Sequence, residues 1–215
     1  MHEVLQKIEE HCVIPVLTVE SPDTVVGLAD ALIAGGLPVA EITFRTAAAA
    51  EALRTLRRER PQVLLGAGTV LSPKNAELAK EAGAQFLVAP GLNPAVVARA
   101  RELGLPMVPG IITPTELEEA LSLGCKFLKV FPVEMMGGTR LLQVLSGPYA
   151  HMEVRFLATG GVTAATLASY LEIDTVAAVG GTWIAKKEDI SGKRWDDILG
   201  RCREAVAIVR RTRPR

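Results

Sequence analysis

Aromatic side chains are scarce in this chain. Phe, Trp and Tyr make up 4% of its 215 residues, so its core must be aliphatic, with Ala at the tight contacts. Cysteine is scarcer still. Cys12, Cys125 and Cys202 are odd in number and far apart, which excludes a disulfide framework and a paired metal-ligand motif. They read as inert buried thiols in a reducing compartment, the cytoplasm. An excess of one charge sign is missing too, because 24 Lys plus Arg balance 24 Asp plus Glu. That removes the basic footprint of a nucleic-acid-binding protein. No apolar run reaches the roughly 18 residues of a membrane span. The stretch from Met1 to Ile8 is charged and amphipathic, not a signal core. His2, His11 and His151 stand near no Cys or carboxylate at ligand spacing, so neither a metal nor a cofactor is expected. No base accompanies a Ser in the manner of a triad.

What is present is alternation. Short apolar runs over 13–18, 39–43, 63–66, 85–88, 106–108, 126–131, 154–158 and 175–179 read as strands. Between them lie Ala- and Leu-rich helical patterns over 22–34 after Ser21, 47–60, 73–82 after Ser72, 94–103 after Asn93, and 115–123. Eight strands alternating with about eight helices is the count of a (β/α)8 barrel. The expected architecture is a single α/β domain over 1–215, with an extra N-terminal helix over 1–12. The four Arg near the end are expected to form a frayed basic tail over 210–215. A doubly wound sheet is the alternative, but the turn Val19-Glu20-Ser21-Pro22 lacks its glycines.

In such a barrel the active site forms at the C-terminal strand ends. Of eight Lys, only Lys126 and Lys129 lie in an apolar strand, and they have opposite parity. Lys126 begins the strand and can snorkel to the lower rim. Lys129 lies near the upper end, flanked by Leu128, Val130 and Phe131. Desolvation there disfavours the ammonium and favours an amine able to attack a ketone. A buried structural ion pair is an equal reading of the same residue. On the second strand Glu41, Thr43 and Arg45 share one face. Both strands are even-numbered, so Glu41 and Lys129 can meet inside, as an acid/base beside a nucleophile or as a plain salt bridge. Arg45, nearer the rim, can fork onto a carboxylate or serve a rim ion pair. Glycine-bearing turns follow the third, seventh and eighth strands, at Gly66-Ala67-Gly68-Thr69, Thr159-Gly160-Gly161 and Gly180-Gly181-Thr182. The last two occupy the place where barrels bind phosphate through bare backbone N–H groups.

Seven motifs stand in order: Glu41-Ile42-Thr43-Phe44-Arg45-Thr46, Gly66-Ala67-Gly68-Thr69-Val70, Pro90-Gly91, Pro109-Gly110, Lys129-Val130-Phe131-Pro132, Thr159-Gly160-Gly161 and Gly180-Gly181-Thr182-Trp183. In these the chain resembles the 2-keto-3-deoxy-6-phosphogluconate (KDPG) aldolases, a family that includes 4-hydroxy-2-oxoglutarate (KHG) aldolase. The resemblance runs from Ile14 to Trp183. It implies a metal-free class I aldolase acting on a phosphorylated keto acid as a homotrimer. Lys129 falls on the Schiff-base lysine and Glu41 on the general acid/base. Arg45 and Thr69 fall beside the pyruvate portion, and Pro90 and Phe131 on the pocket walls. Thr159, Gly160, Gly161, Gly181 and Thr182 fall on the substrate and phosphate side. Many members carry an Arg just before the first strand, whereas this chain has His11-Cys12-Val13. A phosphosugar isomerase or synthase, or a non-catalytic phosphosugar-binding barrel, are the competing readings; each leaves Lys129 unreactive.

Overall fold

A computed structural model describes residues 3–214. Nine parallel strand segments run β1 (Val13–Leu17), β2 (Val39–Thr43), β3 (Leu64–Gly68), β4 (Phe86–Val88), β5 (Met107–Val108), β6 (Gly110–Ile111), β7 (Phe127–Val130), β8 (Arg155–Thr159) and β9 (Val176–Gly181). Their order is β5-β4-β3-β2-β1-β9-β8-β7-β6. The open edges belong to β5 and β6, which are separated only by Pro109. Together they fill the place of a fifth stave: β5 bonds to β4 and β6 to β7, so the barrel is nearly closed. Pro109 has no N–H to offer a ladder, which is why the expected strand over 106–108 is interrupted and resumes beyond it. Its carbonyl still accepts from the Lys129 N–H at 2.8 Å.

The helices are α1 (Glu3–His11), α2 (Val25–Ala34), α3 (Ala49–Glu59), α4 (Pro73–Glu81), α5 (Pro94–Glu102), α6 (Pro114–Ser122), α7 (Gly138–Tyr149), α8 (Ala164–Leu171), α9 (Lys187–Ser191) and α10 (Trp195–Thr212). Ser72 and Asn93 cap α4 and α5 through their side chains, and each helix then opens on Pro. Thr113 and Glu116 form a reciprocal capping box on α6. Ser21 does not cap. Its hydroxyl bonds Asp23 instead, and a 3-10 turn over Pro22–Thr24 delays the start of α2 to Val25.

Strand alternation separates two apolar layers. Ile14, Val39, Leu64, Phe86, Val108, Phe127 and Leu157 pack inside the barrel, with Ile8 of α1 fully buried among them at the lower end. Ala40, Ile42, Leu128 and Val130 face outward into the larger layer beneath the helices.

Over 210–213 the chain differs from the expected frayed tail, and Arg215 lies outside the described residues. Arg210 and Arg211 lie in the last turn of α10. The Arg213 guanidinium donates to the carbonyls of Leu171 (2.8 Å), Ile173 (3.2 Å) and Val176 (2.6 Å), tying α10 to the loop between α8 and β9. These carbonyls include ones that the end of α8 leaves without helical partners. Replacing Arg213 with Ala should cost about 1–3 kcal/mol of stability, read as a lower urea midpoint with an unchanged slope.

Asp189 in α9 is nearly sealed from solvent and takes Arg194 and Arg201 at 2.5 Å each. Arg201 also donates to the Ile184 carbonyl at 3.0 Å, which fixes the segment leaving β9. Burial alone would raise the Asp189 pKa. The Arg201 hydrogen bond and the two guanidinium charges outweigh it and hold the carboxyl below the usual carboxylate range. Its folded value lies under its unfolded one. The stabilisation is therefore complete above the unfolded value and fades as pH falls through the folded one. Asp189→Asn should lower the melting temperature at neutral pH and narrow its gap to the wild type in acid, as measured by calorimetry across pH.

Candidate active site

Glu41 and Lys129 meet inside the barrel. β2 presents Val39, Glu41 and Thr43 inward, and β7 presents Phe127 and Lys129. Lys129 Nζ stands 3.7 Å from Glu41 Oε1, with the side chains 6% and 1% exposed. The ammonium also sits 5.4 Å from the centroid of the Phe131 ring, within cation–π range. Glu41 Oε2 and Thr159 Oγ1 are buried with no hydrogen-bond partner among the described residues. Buried polar atoms without partners are uncommon and mark places where a further group is accommodated.

Interior glycines make this room. A Cβ on Gly68 would lie 2.0 Å from Glu41 Oε1, one on Gly66 2.2 Å from the Phe86 ring, and one on Gly110 2.2 Å from the Pro90 carbonyl. Gly66 and Gly68 belong to β3 itself, and Gly180 and Gly181 to β9, so these pairs are strand residues where turns were expected. Their work is clearance within the barrel as much as the shape of a loop.

At the rim, Arg45 Nε donates to Thr69 Oγ1 at 3.0 Å, which brings two of the expected site residues together on neighbouring strand ends. Thr43 donates to the Leu17 carbonyl at 3.0 Å, and its oxygen lies 3.1 Å from Thr18 Oγ1. With the Thr43 proton so engaged, Thr18 donates to Thr43. The Thr18 hydroxyl went unnoticed in the sequence; its only signal was a polar residue closing an otherwise apolar first strand.

On the opposite side, Gly160 and Gly161 take φ of +101° and +91°. A side chain there would be strained, and on Gly160 its Cβ would press within 2.9 Å of Pro132. The Val133 N–H donates to the Thr159 carbonyl at 2.9 Å, and the Glu134 N–H to the Gly160 carbonyl at 3.1 Å. The segment after Lys129 is thereby clamped to the glycine loop after β8. Thr182 is exposed just past β9, and Trp183 folds back over Gly181. Pro90 is half-buried on the β4 side. All the expected residues thus lie on one end of one barrel, the end where the strands terminate.

The arrangement is similar to known proteins over nearly its whole length. The family model for KDPG and KHG aldolases matches residues 4–201. A 2-dehydro-3-deoxy-phosphogluconate aldolase of Treponema pallidum is 43% identical over 209 residues, 97% of this chain and 99% of that protein. The KHG/KDPG aldolase of Escherichia coli K12 is 40% identical over 194 residues, 90% of each. A crystal structure of KDPG aldolase from Legionella pneumophila, with pyruvate captured as a covalent carbinolamine, matches with a TM-score of 0.90 at 34% identity and covers 94% of this chain and 98% of that one. By its motifs, its barrel and these relatives, this chain belongs to the KDPG and KHG aldolase family.

Proposed function

We propose that this chain is a class I aldolase that reversibly cleaves KDPG to pyruvate and glyceraldehyde 3-phosphate. We infer that it also takes KHG, whose reacting carbons are the same, to pyruvate and glyoxylate. The observation that carries this reading is the buried Glu41–Lys129 pair at the C-terminal end of the barrel.

Lys129 Nζ attacks the C2 ketone as the free amine. The carbinolamine loses water to give an iminium, which is an electron sink. Glu41 takes the proton of the C4 hydroxyl, directly or through a water, and the C3–C4 bond breaks. The bond electrons move into the iminium and leave an enamine on Lys129, while the aldehyde half departs. Protonation at C3 and hydrolysis then free pyruvate and restore the amine. Arg45, held by Thr69, faces the substrate carboxylate. Phe131 and Pro90 wall the pyruvate portion. Thr159, with its hydroxyl unengaged, is a donor for the substrate's oxygens. Gly160, Gly161, Gly181 and Thr182 receive the phosphate through backbone N–H groups and the Thr182 hydroxyl, a kind of site that needs no side-chain cation.

Incubation with pyruvate and borohydride should leave a reduced adduct on Lys129 in the peptide map. Lys129→Ala should lose the adduct and about a thousandfold or more of kcat/KM. Glu41→Gln should lower cleavage by about 10²–10⁴-fold. An adduct on another lysine, or full-rate cleavage by the Lys129 variant, overturns the assignment.

The same reading makes the whole chain one cytoplasmic barrel domain that assembles as a homotrimer. Among the described residues no helix is long and apolar enough to cross a membrane, and all three cysteines are free and buried. Leu71, after β3, and Met135, Met136 and Val144, in the segment and helix after β7, are 56%, 85%, 52% and 66% exposed, apolar side chains on two sides of the barrel that neighbouring copies would cover. Sedimentation equilibrium should give three times the 22.9 kDa chain mass, and a monomer would refute the trimer.

A further inference from the structure

A cavity of about 930 Å³ opens at the N-terminal ends of the strands, the end of the barrel away from Lys129. That volume falls in the range of small-molecule sites, roughly 300–1,000 Å³. Its apolar lining includes Leu5 of α1, Leu105 after α5, Met107 of β5, Phe127 of β7 and Val154 before β8. The N-terminal face of such barrels ordinarily serves stability, and the chemistry described above makes no use of this hollow.

Charged side chains ring it. Arg101, Lys126, Arg155, Glu153 and Asp174 line the cavity, and Glu9, paired with Arg155, brings the charges into balance. Two of the cations are already committed. Arg101 donates to the Leu123 carbonyl, and Arg155 pairs with Glu9 and donates to the Asp174 carbonyl. Arg155 Nε is nevertheless buried without a partner among the described residues. Lys126 is different. It holds only Glu153, at 3.1 Å, and the two side chains are 55% and 84% exposed. An ion pair that open to water holds its partners weakly, so an incoming anion can replace Glu153 at little cost.

We propose that this lower mouth of the barrel is a second ligand site, for a small amphipathic monoanion. Its carboxylate is held by Lys126, and its hydrocarbon body lies on Leu105, Met107, Phe127 and Val154. Lys126, whose exposed partner can be exchanged, offers one positive contact and so selects a single negative group, and the apolar lining selects a hydrocarbon tail over a sugar phosphate. The site is separate from the aldolase chemistry and stands whether or not that chemistry is confirmed.

Methionine supplies the test. Met107 lies in the cavity, whereas Met135 and Met136 follow β7 at the other end of the barrel. In full-length protein carrying methyl-labelled methionine, titration with octanoate should shift the Met107 resonance saturably and leave those of Met135 and Met136 in place. Lys126→Glu, an exposed substitution, should weaken octanoate about tenfold, the worth of one charge-assisted contact. The neutral analogue octanamide should bind the wild type about tenfold more weakly than octanoate. Saturating pyruvate should not displace octanoate. An unmoved Met107 resonance overturns the proposal, as does displacement by pyruvate. Equal affinity for octanoate in the wild type and in Lys126→Glu, or for octanoate and octanamide, overturns it as well, because the hollow would then be a general apolar surface.

Discussion

Two opposite charges share the inside of an aliphatic tube. Stripping water from an ammonium and a carboxylate costs several kcal/mol each, and their attraction offsets this only when the pair is close and rigidly held. Strands supply the rigidity: β2 and β7 fix both backbones, and the ladder from Pro109 to Lys129 holds one of them at the break in the fifth stave. The neighbours must then be small. Glycine at 66, 68 and 110 leaves the upper barrel nearly free of side chains on that side, while Ile14, Val39, Leu64, Phe86 and Leu157 fill the lower part. Water and substrate thus reach the pair from one end only. The scarcity of aromatic residues belongs to the same constraint, since a tube this narrow is filled by branched aliphatic side chains and few rings.

The pair does not act on its own. The segment 131–134 leaves β7 directly above Lys129 and hydrogen-bonds through Val133 and Glu134 to the carbonyls of Thr159 and Gly160. Lys129 and the glycine loop are therefore parts of one rigid unit. A substrate held at the loop by its far end would present its ketone at a set distance from the amine, the positioning on which covalent catalysis depends. The Asp189 cluster supports the adjoining segment from behind, through Arg201 and the Ile184 carbonyl.

Much of this was legible in the sequence because it rests on parity. Alternation alone puts Glu41 inward, Ile42 outward, Lys129 inward and Leu128 outward, and the two apolar layers divide along those lines. Caps were legible where residue type and spacing agree, as at Ser72 and Asn93. What was not legible depended on partners far away in the chain. Arg213 reads as tail until the carbonyls at 171–176 are seen in its reach. Gly66 and Gly68 read as a turn until Phe86 and Glu41 are seen to need the space. Ser21 met its local rule and lost to a neighbour, because Asp23 competes for the same hydroxyl.

Lys126, just before β7, and Lys129 within it state the economy of the fold. Lys126 and Lys129 are three positions apart, and the pleat sends them to opposite faces and opposite ends. Lys126 keeps its ammonium in water beside Glu153. Lys129, carried up the strand and turned inward, keeps only Glu41 and the edge of the mouth. The same side chain is thus a solvated surface charge at one end of the strand and a desolvated nucleophile candidate at the other. A one-residue slip of this strand would turn each of them to the other face. It would bury a lysine with no carboxylate opposite and drive Leu128 into the site. The cost of that error, an unpaired buried charge, is what fixes the register of β7 against β6 and β8.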